Sequence, residues 1–276
     1  MVTTISVAGL IFNSLICFLV PVVISICLLK KDKELLSTII VGVLIFFLFQ
    51  LALKIPLCRL ISSSSFYDEK VKNIWLDSII MGVLYGIFGE MGKIFGFKFS
   101  LKNHNKWLDG IALGVGYGGI GAIYSSGLNE AFLLILTKVK GFEYTEAIVG
   151  QEKLGAVLDK LEFMNNIELF IKPLNQVLFM VIQVALSILI LYALNNKKYI
   201  YTFIAILFDL IIYIVYINLF IELDWNVLSI SSILLILAGF SMIFIVKSEK
   251  LFLVKDQYIK KKVNECIIIK RNRGLS

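Results

Sequence analysis

At 276 residues, with 59% hydrophobic and 17% charged side chains and a net charge of +7, the sequence is too apolar for a soluble domain, where apolar residues make up roughly 45–50%. Apolar runs of about 20 residues, rather than short alternating segments, choose helices over a transmembrane barrel, so the expected class is an all-α polytopic membrane bundle. The single histidine, His104, and four cysteines with no CxxC pair exclude an imidazole-rich or thiolate metal site, and neither a metal nor a cofactor is expected.

The first apolar run, 5–29, has no Lys or Arg ahead of it and ends in Lys30, Lys31 and Lys33. This predicts a retained helix with its N-terminus outside rather than a cleaved leader. A second span, 36–60, carries Gln50, Lys54, Pro56 and Arg59 toward its far end. It is expected to leave the hydrocarbon near Pro56, with Lys54 snorkelling outward as an interfacial anchor. The polar linker SSSSFYDEKVKN follows.

The third span, 73–99, holds Glu90 and Lys93 in an otherwise apolar run. A charge at mid-membrane costs about 2.5–3.5 kcal/mol, so two in one turn require a shared reason. At i, i+3 they lie on one face and can pair. Glu90 also continues the row Gly82, Gly86, which presents a face for close backbone approach. The fourth span, 109–137, places Gly110, Gly114, Gly118, Ala122 and Ser126 in a second small-residue row. The two rows are natural partners, which would bring Glu90 near Tyr117 or Gly121. Gly127, Leu128 and Asn129 mark an expected kink, and Glu130 reads as a capping or interfacial charge.

Residues 138–172 read as a long loop whose segment 146–164 has apolar side chains at helical intervals, which predicts an amphipathic helix on the membrane surface. Three further spans follow at 173–194, 199–221 and 227–247, with Gln183, Asp209 and Asn218 as their polar exceptions. Asp209 beside Lys93 would nearly balance the inner charges. Seven spans with the N-terminus outside and the C-terminus cytoplasmic satisfy the positive-inside rule, in a multi-pass plasma-membrane protein. Residues 1–247 form the bundle, and 248–276 a basic tail attracted to the anionic lipids of the inner leaflet, with no nucleic-acid partner required. The final span offers no mid-membrane lysine for a retinal Schiff base, and the chain has no GxxxxGK[ST] phosphate loop.

Two stretches carry a family likeness. GIFGEMGKIF at 86–95, followed by GVGYGGIGAI at 114–123, resembles the paired core motifs of the YhfC-like intramembrane metalloproteases, a group similar to the CAAX-processing (Abi) endopeptidases and PrsW. Those motifs read approximately G-x-F-E-E-x-x-R and G-x-G-H-G-G-x-E-A. FQLALKIPL at 49–57 resembles Q-x-x-x-R-x-P, and the spans holding Gln183 and Asp209 resemble others of the family. Position by position, Gly89 stands for the first Glu of the pair, Glu90 for the second and Lys93 for Arg. Tyr117 stands for His, Gly121 for Glu, Gln183 and Asp209 for histidines, and Tyr213 for Asp.

The resemblance implies a membrane-embedded Glu that activates water, with electrophilic partners for the oxyanion. It nominates Glu90, Lys93, Tyr117, Gln183 and Asp209 as site residues, in a site depleted of histidine. Three functions follow as expectations. The first is a member degenerate in catalysis that binds a lipid-like or peptide substrate as a binding or immunity-type factor. The second is a working glutamic-type peptidase with Glu90 as base, acting on a transmembrane or lipidated peptide. The third is an ion- or proton-coupled transporter component built on Glu90, Lys93 and Asp209.

Overall fold

The computed structural model describes residues 4–64, 67, 74–138, 166–221 and 227–273. Helix α1 is Thr4–Lys31 and α2 is Leu35–Ile45, continued by a π-helical segment π1, Phe46–Lys54, and by α3, Ile55–Ser62. Helix α4, Ile74–Phe95, ends in π2, Gly96–Ser100, and α5, Trp107–Ala122, runs through π3, Ile123–Gly127, into α6, Leu128–Lys138. Helices α7, Asn166–Asn196, α8, Ile200–Ile221, and α9, Val227–Arg273, complete the bundle. Among the described residues, six helical stretches are long and apolar enough to cross a membrane, and Ile200–Tyr216 of α8 is a shorter seventh.

Helix α5 is the hub, packed on α7, α2 and α1, while α4 packs on α8 and π1, and α9 lies along α7. Small residues decide these contacts. A Cβ on Gly114 would come within 2.5 Å of the Val184 Cα on α7, and one on Gly42 within 2.5 Å of the Leu113 carbonyl oxygen on α5. Bulk is excluded there because backbone meets backbone. The expected pairing of the two glycine rows is corrected: Gly82 and Gly86 face Leu210, Tyr213 and Ile214 of α8, whereas Gly110, Gly114 and Gly118 face α7. A small-residue row shows that a backbone comes close, without naming which one.

The structure also sets helix boundaries within and between the spans. The second span is helical beyond Pro56. Its helix runs on to Ser62, because the wider π turn ahead of Pro56 makes room for the ring and for its missing N–H. The fourth span stays helical through 127–130, its irregularity absorbed by π3, and Asn129 donates to the Ser125 carbonyl. Glu130, in the first turn of α6, is buried at 7% exposure, within electrostatic reach of Cys17. Residues 166–172 belong to α7 rather than to a loop, while the expected surface helix at 146–164 lies outside the described residues. Helix α9 continues across 247–248 without a break, anchored where the Trp107 indole donates to Ser248 Oγ at 3.0 Å and to the Ile245 carbonyl at 3.2 Å.

Candidate membrane-embedded site

Glu90 and Lys93 project from α4 into the bundle centre, and both are completely buried. Lys93 Nζ donates to Glu90 Oε1 at 2.6 Å and to Gln183 Oε1 of α7 at 2.6 Å. Gln183 Nε2 in turn donates to Asp209 Oδ1 of α8 at 2.9 Å. Asp209 is therefore tied to Lys93 through Gln183, with the amide bridging ammonium and carboxylate. The ammonium also lies 4.9 Å from the centroid of the Tyr117 ring on α5, a cation–π distance. The five residues nominated from the sequence thus occupy one cluster, brought from α4, α5, α7 and α8.

Gln50 was missed as a site residue. It is 2% exposed in the middle of π1, and its Nε2 donates to the Tyr117 hydroxyl oxygen at 2.7 Å. Its signal in the sequence was that of a polar side chain well inside an apolar span, the same signal that singled out Gln183. The π segment matters here, since such wide turns concentrate at functional sites and re-aim the side chains they carry.

The cluster closes over Gly89. A Cβ at that position would lie 3.1 Å from Asp209 Oδ2, 3.1 Å from the Tyr117 hydroxyl oxygen and 3.2 Å from Gln50 Nε2. Three polar side chains from three different helices therefore rest against the bare Cα. Asp209 Oδ2, Glu90 Oε2 and Gln50 Oε1 are buried oxygens without a hydrogen-bond partner.

Beside the cluster lies a cavity of about 300 Å³. Gln50, Tyr117, Gln183 and Asp209 form its floor, and Lys54, Tyr85, Tyr124, Phe179, Tyr213 and Tyr216 are among its walls. Apart from Phe46, the lining residues on each helix that carries a floor residue lie on one side of it, toward the bundle end that carries Ser62, Ile74, Lys138, Asn166 and Ile221. In the orientation expected from the loop charges, that is the outer end. Glu90 and Lys93 do not line the cavity; they sit behind its floor. Lys54 does line it, with Nζ 4.2 Å from the Tyr85 ring centroid, which corrects the expectation of an outward-snorkelling anchor.

The family model for the YhfC intramembrane metalloproteases matches residues 16–229. The chain belongs to that family. It is also 24% identical over 257 residues to a Bacillus subtilis (strain 168) relative described as the uncharacterized membrane protein YhfC, covering 91% of this chain and 100% of the relative. No solved structure matches. As a YhfC family member with several membrane-crossing helices, it is a multi-pass membrane protein.

The family description implies a metal, and the donor set does not fit one. Among the described residues no three His, Cys, Asp or Glu side chains gather in metal-binding proximity. The single imidazole, His104, lies between π2 and α5, 3.4 Å from Ser37 Oγ. At the point where Glu90 and Gln183 present their oxygens to each other stands the Lys93 ammonium, already a cation and already hydrogen-bonded to both. A divalent ion there would meet a like charge in place of a lone pair.

Proposed function

We propose that this chain is a YhfC family member degenerate in hydrolysis, whose intramembrane cavity binds a lipid-like or peptide ligand. The observation that carries this reading is the Lys93 ammonium bonded to both Glu90 and Gln183. A carboxylate acting as general base needs a water or substrate proton within reach. Glu90 instead has one oxygen committed to an ammonium and lies behind the cavity floor. The contacts at Gly89 add support, because a longer side chain there would displace Asp209, Tyr117 and Gln50 together. The cavity, by contrast, has the concave, aromatic-rich character of a ligand site with a few polar groups.

A second reading has one observation in its favour. Asp209 lines the cavity and keeps Oδ2 without a partner, so it is better placed than Glu90 to meet a substrate. The test is cleavage of a quenched transmembrane-peptide library by wild type, Glu90→Gln and Asp209→Asn in detergent, with thermal stability followed in parallel. The proposed reading expects no cleavage by any of the three. Cleavage by wild type that is lost in either variant at unchanged melting temperature would replace it with a working acid-dependent peptidase.

A further inference from the structure

The geometry points to an amphiphile with an anionic head, carboxylate or phosphate, as the ligand of the cavity, its head received by Lys54 together with the hydroxyls of Tyr85 and Tyr213. The inference rests on the cavity being a binding site, as proposed above, and adds which chemistry it selects.

Lys54 carries the case. Its ammonium lines an aromatic cavity within the membrane-crossing stretch Leu35–Ser62, and among the described residues no carboxylate lies within ion-pair distance of it. The face of Tyr85 at 4.2 Å supplies a partial counter-charge. Among the described residues Asp209 is the carboxylate within electrostatic reach of Lys54, and a cation in a membrane-crossing stretch with no ion pair there is costly, a cost membrane proteins tolerate where the charge serves a bound ion or substrate. Lys93 makes the contrast plain, because its ammonium donates to both Glu90 and Gln183, is completely buried and does not line the cavity.

The surroundings of Lys54 are donors. Tyr85 and Tyr213 stack at 5.0 Å between centroids and 25° between planes, and both line the cavity. Among the described residues neither hydroxyl has a hydrogen-bond partner. Three side chains able to donate, with no acceptor among the described residues, therefore line the cavity. The carboxylate facing the same space, Asp209, lies four residues before Tyr213 on α8, about 6 Å deeper along the helix axis, and its Oδ1 is taken by Gln183. An anion is thus held at the rim and repelled from the floor, while an apolar chain has Phe46, Phe179 and Met180 to lie against.

The full-length protein in nanodiscs of zwitterionic lipid is titrated with four pyrene-labelled amphiphiles of equal chain length: a carboxylic acid, a phosphate monoester, an alcohol and a primary amine. The acid, the phosphate or both are expected to bind saturably at least about tenfold more tightly than the alcohol, the scale of one desolvated charge contact. Their ratio tells a fatty-acid head from a phospholipid-type head. Lys54→Met should abolish that preference, Lys54→Arg should keep it, and Tyr85→Phe with Tyr213→Phe should weaken it. Equal binding of acid and alcohol by wild type, or tightest binding of the amine, would overturn the inference, and neither comparison depends on a variant that folds. Peptide cleavage with the anion preference intact would remove the non-hydrolytic reading and leave this site standing. Absence of both cleavage and anion preference would remove this inference alone.

Discussion

Replacing Lys93 by Met should be among the most damaging single changes in the chain. The variant keeps most of the length of the side chain but removes the ammonium that donates to Glu90 Oε1 and Gln183 Oε1, both at 2.6 Å, in a place with no exposure. Glu90 would be left as a buried carboxylate with neither oxygen partnered, since Oε2 has no hydrogen bond to begin with. Removing one member of a buried pair typically costs about 3–5 kcal/mol. Glu90→Gln should cost less, about 1–3 kcal/mol, because a neutral oxygen can still accept from Lys93, and Asp209, reached through Gln183, remains as counter-ion. The double variant Glu90→Gln with Lys93→Met should recover much of the loss of Lys93→Met, since no uncompensated charge remains at that pair. Thermal unfolding in detergent of wild type, both singles and the double gives the coupling directly. A Lys93→Met protein as stable as wild type, or a double variant whose loss equals the sum of the singles, would refute the reasoning.

Gly42→Ala places a Cβ 2.5 Å from the Leu113 carbonyl oxygen, so α2 and α5 must separate; a loss of about 1–3 kcal/mol or more is expected in the same unfolding assay. Gly239→Ala meets nothing within 4 Å on α9 and should be neutral or stabilising by up to about 1 kcal/mol. Tyr117→Phe removes the acceptor of Gln50 Nε2 and should cost about 1–2 kcal/mol in the same unfolding assay. Trp107→Phe loses the indole bonds to Ser248 and Ile245 and should release α9 to limited proteolysis earlier than in wild type, at a cost of about 1 kcal/mol in unfolding.

Hydropathy made the span order legible, because every backbone polar group in a bilayer must be satisfied within a helix and the apolar runs have the length this requires. The site was legible for a related reason. Polar side chains such as Glu90, Lys93, Gln183 and Asp209 are too costly in hydrocarbon to stand apart, so their convergence could be anticipated from their rarity. The pairing of helices was not legible, since Gly82 and Gly86 suit any close backbone and α8 rather than α5 supplies it. Nor was the course of π1, whose wide turn carries the helix past Pro56 and turns Gln50 into the cluster and Lys54 onto the cavity wall. An i→i+5 turn leaves little trace in apolar periodicity, so the positions of Gln50 and Lys54 do not follow from it.

Metal analysis of the purified, detergent-solubilised protein tests the central claim most directly. With the Lys93 ammonium standing between Glu90 and Gln183, wild type prepared with zinc, manganese or cobalt and then desalted should carry well under one equivalent of any of them. About one equivalent of tightly held metal per chain, lost in Glu90→Gln or Asp209→Asn proteins that melt as wild type does, would contradict the account and return a metal to the centre of the bundle.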